Sequence, residues 1–432
     1  MTAEVYLWGT RIGVVAQADL GSLPQFNYDE KFLTSGIEIA PITMTLSKRI
    51  YTFPGLNEKT FYGLPGLLAD SLPDKYGTKL IERYLEESGR NKEHFSSVER
   101  LCYVGNRGMG ALEYIPAKGY TESPDMTIHV DALVKLASDI LAERSSLRIS
   151  AGNHTMEQII KIGTSAGGAR AKAVVAWNPI TNDIRSGQID AGSGYEYWLI
   201  KFDGVENNKD KEEQADGPEY TKIEYAYYLM AKAAGIEMSE CRLYEESGRH
   251  HFMTKRFDRE ESTGKKIHMQ SLGAMAHYDY NAPGVHSYEQ AAAVIYKLGM
   301  GQKEIEQLFR RMVFNILSRN QDDHVKNISF LMNMRGIWSL APAYDITFAY
   351  NPNSIWLSKH QMSMNGKLEA FTREDFYLCG KRMNMSKRKI EQIMDEVQNT
   401  ISLWPKYADT VGLRQQTMLE IQALHRIEKS SK

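Results

Sequence analysis

The sequence predicts an α+β chain in three parts: a small α+β N-terminal domain over residues 1–125, a β-rich lobe over 126–255 and a mostly helical lobe over 256–432. Three observations lead there. Short alternating runs joined by Gly or Asp turns open the chain, a glycine-rich loop running into apolar strands occupies its middle, and i, i+3, i+4 apolar patterns dominate its last third. With 432 residues the chain is long enough for two or three buried cores.

In order, Val5-Tyr6-Leu7-Trp8, Arg11 to Ala16 and Gln25 to Tyr28 read as strands of one small sheet. Leu64 to Leu85 reads as a helix interrupted at Ser71-Leu72-Pro73-Asp74. The closely spaced glycines between Gly105 and Gly110 lead into a strand from Ala111 to Ile115, so they join strands rather than cradle a phosphate, which needs a helix next. Pro116 to Pro124 reads as a polar linker and Met126 to Glu143 as an amphipathic helix. Ala173 to Trp177 and Tyr197 to Phe202 are apolar strands, and the helix after them carries Glu224. Further on, Ile305, Leu308, Phe309, Met312, Val313, Ile316 and Leu317 mark one buried helix face, and Lys387 to Leu403 and Leu413 to His425 are amphipathic helices.

Composition excludes several classes. Apolar content of 42%, charged content of 25% and a net charge of −2 leave no basic excess to make nucleic acid the primary ligand. No run of 18 apolar residues occurs, and Met1-Thr2-Ala3-Glu4-Val5 has neither a basic region nor an apolar core, so a cytoplasmic protein is expected. Cys102, Cys241 and Cys379 are too few and too far apart for a disulfide framework or a metal knuckle, and are expected to be buried thiols. His250-His251 lacks a third ligand at useful spacing and reads as a solvated turn; Met362 and Met364 read as core filler.

Two stretches carry chemistry. In Asn320-Gln321-Asp322-Asp323-His324-Val325-Lys326-Asn327, a carboxylate is followed five residues later by a carboxamide, and a second acid, Asp345, follows a strand in Pro342-Ala343-Tyr344-Asp345-Ile346. A solvated, capped turn accounts for the first element alone. Protein kinases arrange an Asp that accepts the substrate's hydroxyl proton, an Asn five residues on and a later Asp in this order, the last two as hard oxygen ligands for Mg²⁺. The second stretch is the loop Ser165-Ala166-Gly167-Gly168 through Lys172, whose small residues let backbone N–H groups approach phosphate oxygens. Lys201 ends the next apolar strand, in the position of a phosphate-pairing lysine, with Glu224 as its candidate partner.

With Leu72-Pro73-Asp74, Arg256-Phe257-Asp258-Arg259, Asp322 to Ser329 and Ala341 to Ile346 in this order, the chain resembles the HipA-like serine/threonine kinases, toxins of bacterial toxin–antitoxin pairs. The resemblance implies a two-lobed protein-kinase-like fold. It implies Asp322 as catalytic base, Asn327 and Asp345 as Mg²⁺ ligands, and ATP held by Ser165, Ala166, Gly167, Gly168, Lys201, Phe257, His324 and Tyr344. Ser165 falls where the family carries its autophosphorylated serine, with Thr164 beside it as the competing acceptor. It further implies a small DNA-binding antitoxin of the HipB type as partner, with DNA reached only through it, and a translation component such as an aminoacyl-tRNA synthetase as substrate. Two positions depart from the family pattern: Lys255 stands where Glu is familiar before Arg256-Phe257, and Arg170-Ala171 stands where Gln-Glu is familiar. A catalytically silent relative acting as binding partner or co-repressor and a small-molecule kinase are the alternatives; the complete set Asp322, Asn327 and Asp345 speaks against the first.

Overall fold

The computed structural model describes residues 1–87, 89, 95–118, 128–141, 170–188, 190–205, 219–261 and 263–427. The chain is α+β, as expected, and forms two compact units. The first comprises Met1–Asp216, Tyr244–Gln270 and Leu331–Ile337; the second comprises Gly217–Leu243, Ser271–Phe330 and Trp338–Lys432. Among the described residues, no helix is long and apolar enough to cross a membrane.

The first unit opens with an antiparallel sheet of β1 (Thr2–Leu7), β2 (Thr10–Ala16), β3 (Gln25–Tyr28) and β4 (Leu112–Ile115), ordered β3-β2-β1-β4. Ala3, Val5 and Leu7 alternate into the core, the period-two pattern of a half-buried strand. Gly13 is dictated by the close approach of β3, because a Cβ there would stand 2.4 Å from the Asn27 carbonyl oxygen. The expected helix from Leu64 to Leu85 is two pieces, Gly66–Ala69 and Lys75–Glu87, separated by the Ser71-Leu72-Pro73-Asp74 break.

The glycines from Gly105 to Gly110 do lead into a strand, but what precedes them is a helix, Ser97–Val104, packed on β1 and β4. Its signal lies in Ser96 and Glu99, an S-x-x-E start in which the Ser96 hydroxyl accepts the Glu99 N–H at 3.1 Å. Gly110 has a φ of 73°, and a Cβ on it would meet the Met269 nitrogen at 2.9 Å. Its N–H instead reaches the Asp258 carboxylate at 2.7 Å.

A second antiparallel sheet contains β5 (Lys172–Trp177), β6 (Ile184–Ser186), β7 (Glu196–Lys201), β8 (Cys241–Glu246) and β9 (Arg249–Lys255), ordered β6-β5-β7-β9-β8. Ala173, Val175, Trp198, Ile200 and Met253 on one face pack with Val130, Leu133, Val134 and Ala137 of the helix Val130–Leu141. Burying the valine, leucine, isoleucine and methionine side chains among them stabilises the unit by roughly 1.5–3 kcal/mol each. The opposite face carries one row across three strands, Lys172 opposite Lys201 and Lys201 opposite Phe252. His250 and His251 are not a solvated turn: both lie in β9, and His251 is buried, its Nδ1 accepting the Asp203 N–H at 2.9 Å. Burial pushes the His251 imidazole down to about 4.

The second unit is mostly helical. The helix Gln302–Ser318 buries all seven predicted apolar residues, and Arg311, Asn315 and Ser318 as well. It packs against Lys387–Ser402, whose Ile390, Ile393, Met394 and Val397 form the facing stripe. Gly380 is required there, since a Cβ would sit 2.6 Å from Ile390. The last helix runs Gln415–Leu424, inside the predicted span. The three cysteines are buried and form no disulfide, and Met362 and Met364 are core residues.

Candidate active site

The helix Gln302–Ser318 ends at Arg319, whose φ of 62° turns the chain sharply out of the helix. The next residues are tied down through the backbone: the Gln321 N–H donates to the Ala349 carbonyl at 2.9 Å, and the Ala349 N–H to that of Arg319 at 3.0 Å. A single turn of 3₁₀-helix, Val325–Asn327, then leads to the strand Ser329–Met332. The Asn327 side-chain nitrogen donates to the Asp322 carbonyl at 2.9 Å, closing the five-residue loop on itself. That bond orients the amide and keeps its oxygen as an acceptor for another group.

The two adjacent aspartates have opposite surroundings. The Asp322 side chain is 42% exposed, 3.7 Å from Nε2 of His324. Asp323 is buried and accepts from the Tyr288 hydroxyl at 2.7 Å, from Nδ1 of His360 at 2.9 Å and from the Gln361 N–H at 2.8 Å. Burial alone would raise the Asp323 carboxyl, but these three hydrogen bonds, that from His360 foremost, hold it below the usual carboxylate range.

Asp345 stands at a φ of 54°, a left-handed conformation costing a residue with a Cβ about 1 kcal/mol or more, which its surroundings must offset. They do so through the residues just before it. Arg311 donates to the Ala341 carbonyl at 2.8 Å and the Ala343 N–H to that of Glu237 at 2.8 Å, while the Tyr344 hydroxyl lies 2.5 Å from Ser329 Oγ and donates to the Lys326 carbonyl at 2.7 Å. His324, Asn327, Tyr344 and Asp345 line one pocket, which Asp323 and Arg311 also border. The amide oxygen of Asn327 and the carboxylate of Asp345 are hard oxygen donors of the kind Mg²⁺ takes beside phosphate oxygens, so the residues fit that ion.

The other predicted residues lie elsewhere. Lys201 is buried in β7 of the first unit, its Nζ 5.7 Å above the Phe252 ring. Phe257 belongs to the same unit, just beyond β9. Lys255, at the family's Glu position, is held by Glu196 at 3.1 Å and Glu261 at 3.0 Å. Glu224 is buried in the helix Tyr220–Ala233 of the second unit. Ser165, Ala166, Gly167 and Gly168 lie outside the described residues. Sequence reasoning passed over Lys172, which the strand register sets opposite Lys201, and Asp323, whose burial distinguishes it from its neighbour. The alternation of β5 could have flagged Lys172 as facing away from Ala171 and Ala173. Nothing in Asp322-Asp323 says which of the two turns inward.

The family model described as HipA-like C-terminal domain matches residues 164–404, and that of the HipA N-terminal domain matches residues 3–115. No curated protein shows a significant sequence match. Among solved structures, the chain is similar to HipA from the Shewanella oneidensis MR-1 toxin–antitoxin complex of HipA, HipB and operator DNA. The TM-score is 0.70 at 15% identity, over 98% of this chain and 94% of that one. A lesser likeness, with a TM-score of 0.30 at 12% identity over 52% of this chain and 92% of the other, is to the Helicobacter pylori proinflammatory kinase CtkA.

Proposed function

The chain belongs to the HipA-like family and has a two-lobed, kinase-like fold, and we propose that it is an ATP- and Mg²⁺-dependent serine/threonine protein kinase acting as a HipA-type toxin. The observation that supports this reading best is the bond from the Asn327 amide to the Asp322 carbonyl, in a turn whose neighbour Asp345 is held in a left-handed conformation. Asp322 keeps an accessible carboxylate, Asn327 keeps its amide oxygen, and Asp345 is pinned through Tyr344 and Arg311.

In this reading Asp322 accepts the proton of a serine or threonine hydroxyl as its oxygen bonds to the γ-phosphorus, and the bond to the nucleoside diphosphate breaks. Asn327 and Asp345 would hold Mg²⁺, which when bound neutralises phosphate charge. Lys201 pairs with ATP phosphates, and Ser165, Ala166, Gly167, Gly168, Phe257, His324 and Tyr344 complete the nucleotide site. Catalysis rests on positioning and electrostatics, since phosphoryl transfer asks little covalent chemistry of a protein. Ser165 is the proposed autophosphorylation site, where a phosphate adds about −1.5 to −2 charges to a loop meant to cover another polyanion, and so switches ATP binding off. A HipB-type antitoxin is the proposed partner, in keeping with the HipA–HipB–DNA assembly named for the Shewanella structure. A translation component such as an aminoacyl-tRNA synthetase is the proposed substrate.

The test is to incubate purified protein with labelled ATP, with and without Mg²⁺, and to map incorporated phosphate by mass spectrometry. Mg²⁺-dependent labelling on serine or threonine, including Ser165, is expected. Absence of transfer to itself and to candidate protein substrates would overturn the kinase reading.

A further inference from the structure

We propose that Arg426 and His360 are positioning residues for the catalytic turn, joining the C-terminal end of the chain to Asp323 through a hydrogen-bond chain of fixed direction. This inference rests on the reading of Asp322 as the proton acceptor.

Arg426 lies two residues beyond the last helix, Gln415–Leu424, and docks at the end of the helix that launches the turn. The last carbonyls of a helix lack internal partners. Here the Arg426 N–H donates to the Leu317 carbonyl at 2.8 Å, its Nη1 reaches the Ile316 carbonyl at 3.5 Å, and the Tyr227 hydroxyl donates to the Ser318 carbonyl at 2.6 Å. The guanidinium then continues into the turn, with Nη2 3.2 Å from the Gln321 side-chain oxygen and Nη1 3.0 Å from Nε2 of His360.

A guanidinium can only donate. Nε2 of His360 must therefore accept, which puts the imidazole proton on Nδ1, where it is donated to Asp323 Oδ2 at 2.9 Å. The imidazole in the middle is neutral, with the positive charge on Arg426 and the negative charge on Asp323. His360 is fully buried and Asp323 nearly so, at 0% and 1% side-chain exposure, and the low-dielectric surroundings strengthen each bond. A second directed chain reaches the same carboxylate from the other side: the Asn320 amide donates to Asn315 at 3.0 Å, the Asn315 amide to the Tyr288 hydroxyl at 3.1 Å, and that hydroxyl to Asp323 at 2.7 Å.

Asp322 is one peptide bond away from Asp323. Fixing the Asp323 side chain therefore fixes the backbone from which the accessible carboxylate projects and the carbonyl that receives the Asn327 amide. Gln321, on the other side of Asp322, is held by Arg426 and by Arg319 at 3.0 Å. The loop is thus clamped on both flanks of the one carboxylate left accessible. Removing the clamp misplaces the base while leaving every side chain assigned to ATP and Mg²⁺ in place in the sequence, and a misplacement of about 1 Å can cost on the order of 100-fold in rate.

The experiment compares wild type with His360→Leu, His360→Asn and Arg426→Ala in steady-state phosphoryl transfer, with unfolding midpoints measured alongside. His360→Leu is expected to lower kcat at least about tenfold with KM for ATP within about twofold. His360→Asn, whose amide N–H can replace Nδ1–H, should recover kcat to within about threefold of wild type. Arg426→Ala should fall between the two. Equal losses in His360→Leu and His360→Asn, or losses in KM rather than kcat, would overturn the positioning role. Nitrogen NMR of His360 in the unmodified protein supplies a readout that needs no activity. An Nδ1–H tautomer is expected, and an Nε2–H tautomer would overturn the proposal. A wild-type protein with no transfer activity but an Nδ1–H tautomer would remove the kinase reading and leave the clamp standing.

Discussion

The charged cluster around Asp258 in the first unit and the turn around Asp322 and Asp323 in the second are built from the same residue types to opposite ends. Around Asp258 every charge is turned inward. Arg256 reaches its two oxygens at 2.8 and 2.6 Å, Arg259 approaches at 2.9 Å, the Gly110 N–H completes the shell, and the Arg256 and Asp258 side chains are 1% and 0% exposed. Burial would raise the Asp258 carboxyl, but the two guanidiniums beside it hold it far below the usual range. In the turn, Asp323 is satisfied in the same way, yet the residue before it is left accessible, and Asn327 is bound by the backbone of Asp322 rather than by its carboxylate. A carboxylate whose lone pairs are all used by neighbours holds the fold. One whose backbone is held while its carboxylate stays 42% exposed has the arrangement that the proposed proton acceptor needs.

The largest expected effect breaks the comparison on the side of function. Asp322→Asn keeps the backbone carbonyl and the shape of the side chain but loses the proton acceptor, so phosphoryl transfer should fall by roughly 10²–10⁴-fold with an unchanged unfolding midpoint. Transfer at the wild-type rate would return Asp322 to the surface polar residues. Asp258→Asn should do the converse, destabilising the first unit by roughly 3–5 kcal/mol because two buried guanidiniums lose their counter-charge. Denaturant unfolding reads this directly, and a loss under about 1 kcal/mol would mean that the cluster contributes little to the fold.

Binding comes next. Asp345→Ala should weaken Mg²⁺-dependent ATP binding, and leave Mg²⁺-free binding nearly unchanged, in calorimetry; equal losses would make Asp345 a backbone-positioning residue. Lys201→Ala should cost ATP roughly 1.5–3 kcal/mol and adenosine almost nothing, since adenosine lacks the phosphates. A common loss on both ligands would point instead to collapse of the row Lys172, Lys201 and Phe252.

Periodicity made most of the fold legible. The seven apolar positions between Ile305 and Leu317 repeat at helical spacing, and all are buried; β1 and β2 lie within two or three residues of the predicted runs. The five-residue spacing from Asp322 to Asn327 pointed to the turn, and the amide-to-carbonyl bond is the physical reason for that spacing. What could not be read depends on contacts between distant parts of the chain. Whether Asp322 or Asp323 turns inward is decided by Tyr288 and His360, dozens of residues away on either side. The pairing of Lys172 with Lys201 depends on a register set by the connection between their strands. The helix Ser97–Val104 spans only eight residues, about two turns, so its signal lies in the Ser96 cap and Glu99 rather than in a long apolar period.

The smallest effect sharpens the comparison with a group that is buried without a charge. His268 is fully buried in the first unit, with its Nε2 3.0 Å from the Gln270 amide nitrogen. The amide donates, so the imidazole accepts there and is neutral, while the same amide nitrogen also reaches the Ile39 carbonyl at 2.6 Å. Burial pushes His268 down to about 3 from an ordinary value of 6.5. Between those limits the unfolded chain binds a proton that the folded chain does not. The stabilisation is therefore complete well above pH 6.5 and declines as pH falls through it, at a rate that approaches about 1.4 kcal/mol per pH unit below it. Asp258 and Asp323, whose folded values are depressed below an ordinary 3.8, withdraw their stabilisation only as pH falls below that value, so they do not contribute between pH 6.5 and 5.5. Burial depresses His251, His277 and His425 as well, and these add to the wild-type slope in the same direction. Unfolding free energies of wild type and His268→Gln at pH 6.5 and 5.5 isolate the one residue. The wild-type loss over that interval should exceed the variant's by about 1 kcal/mol, because at pH 6.5 the unfolded imidazole is already half protonated, and parallel losses would mean that His268 takes up its proton in the folded protein.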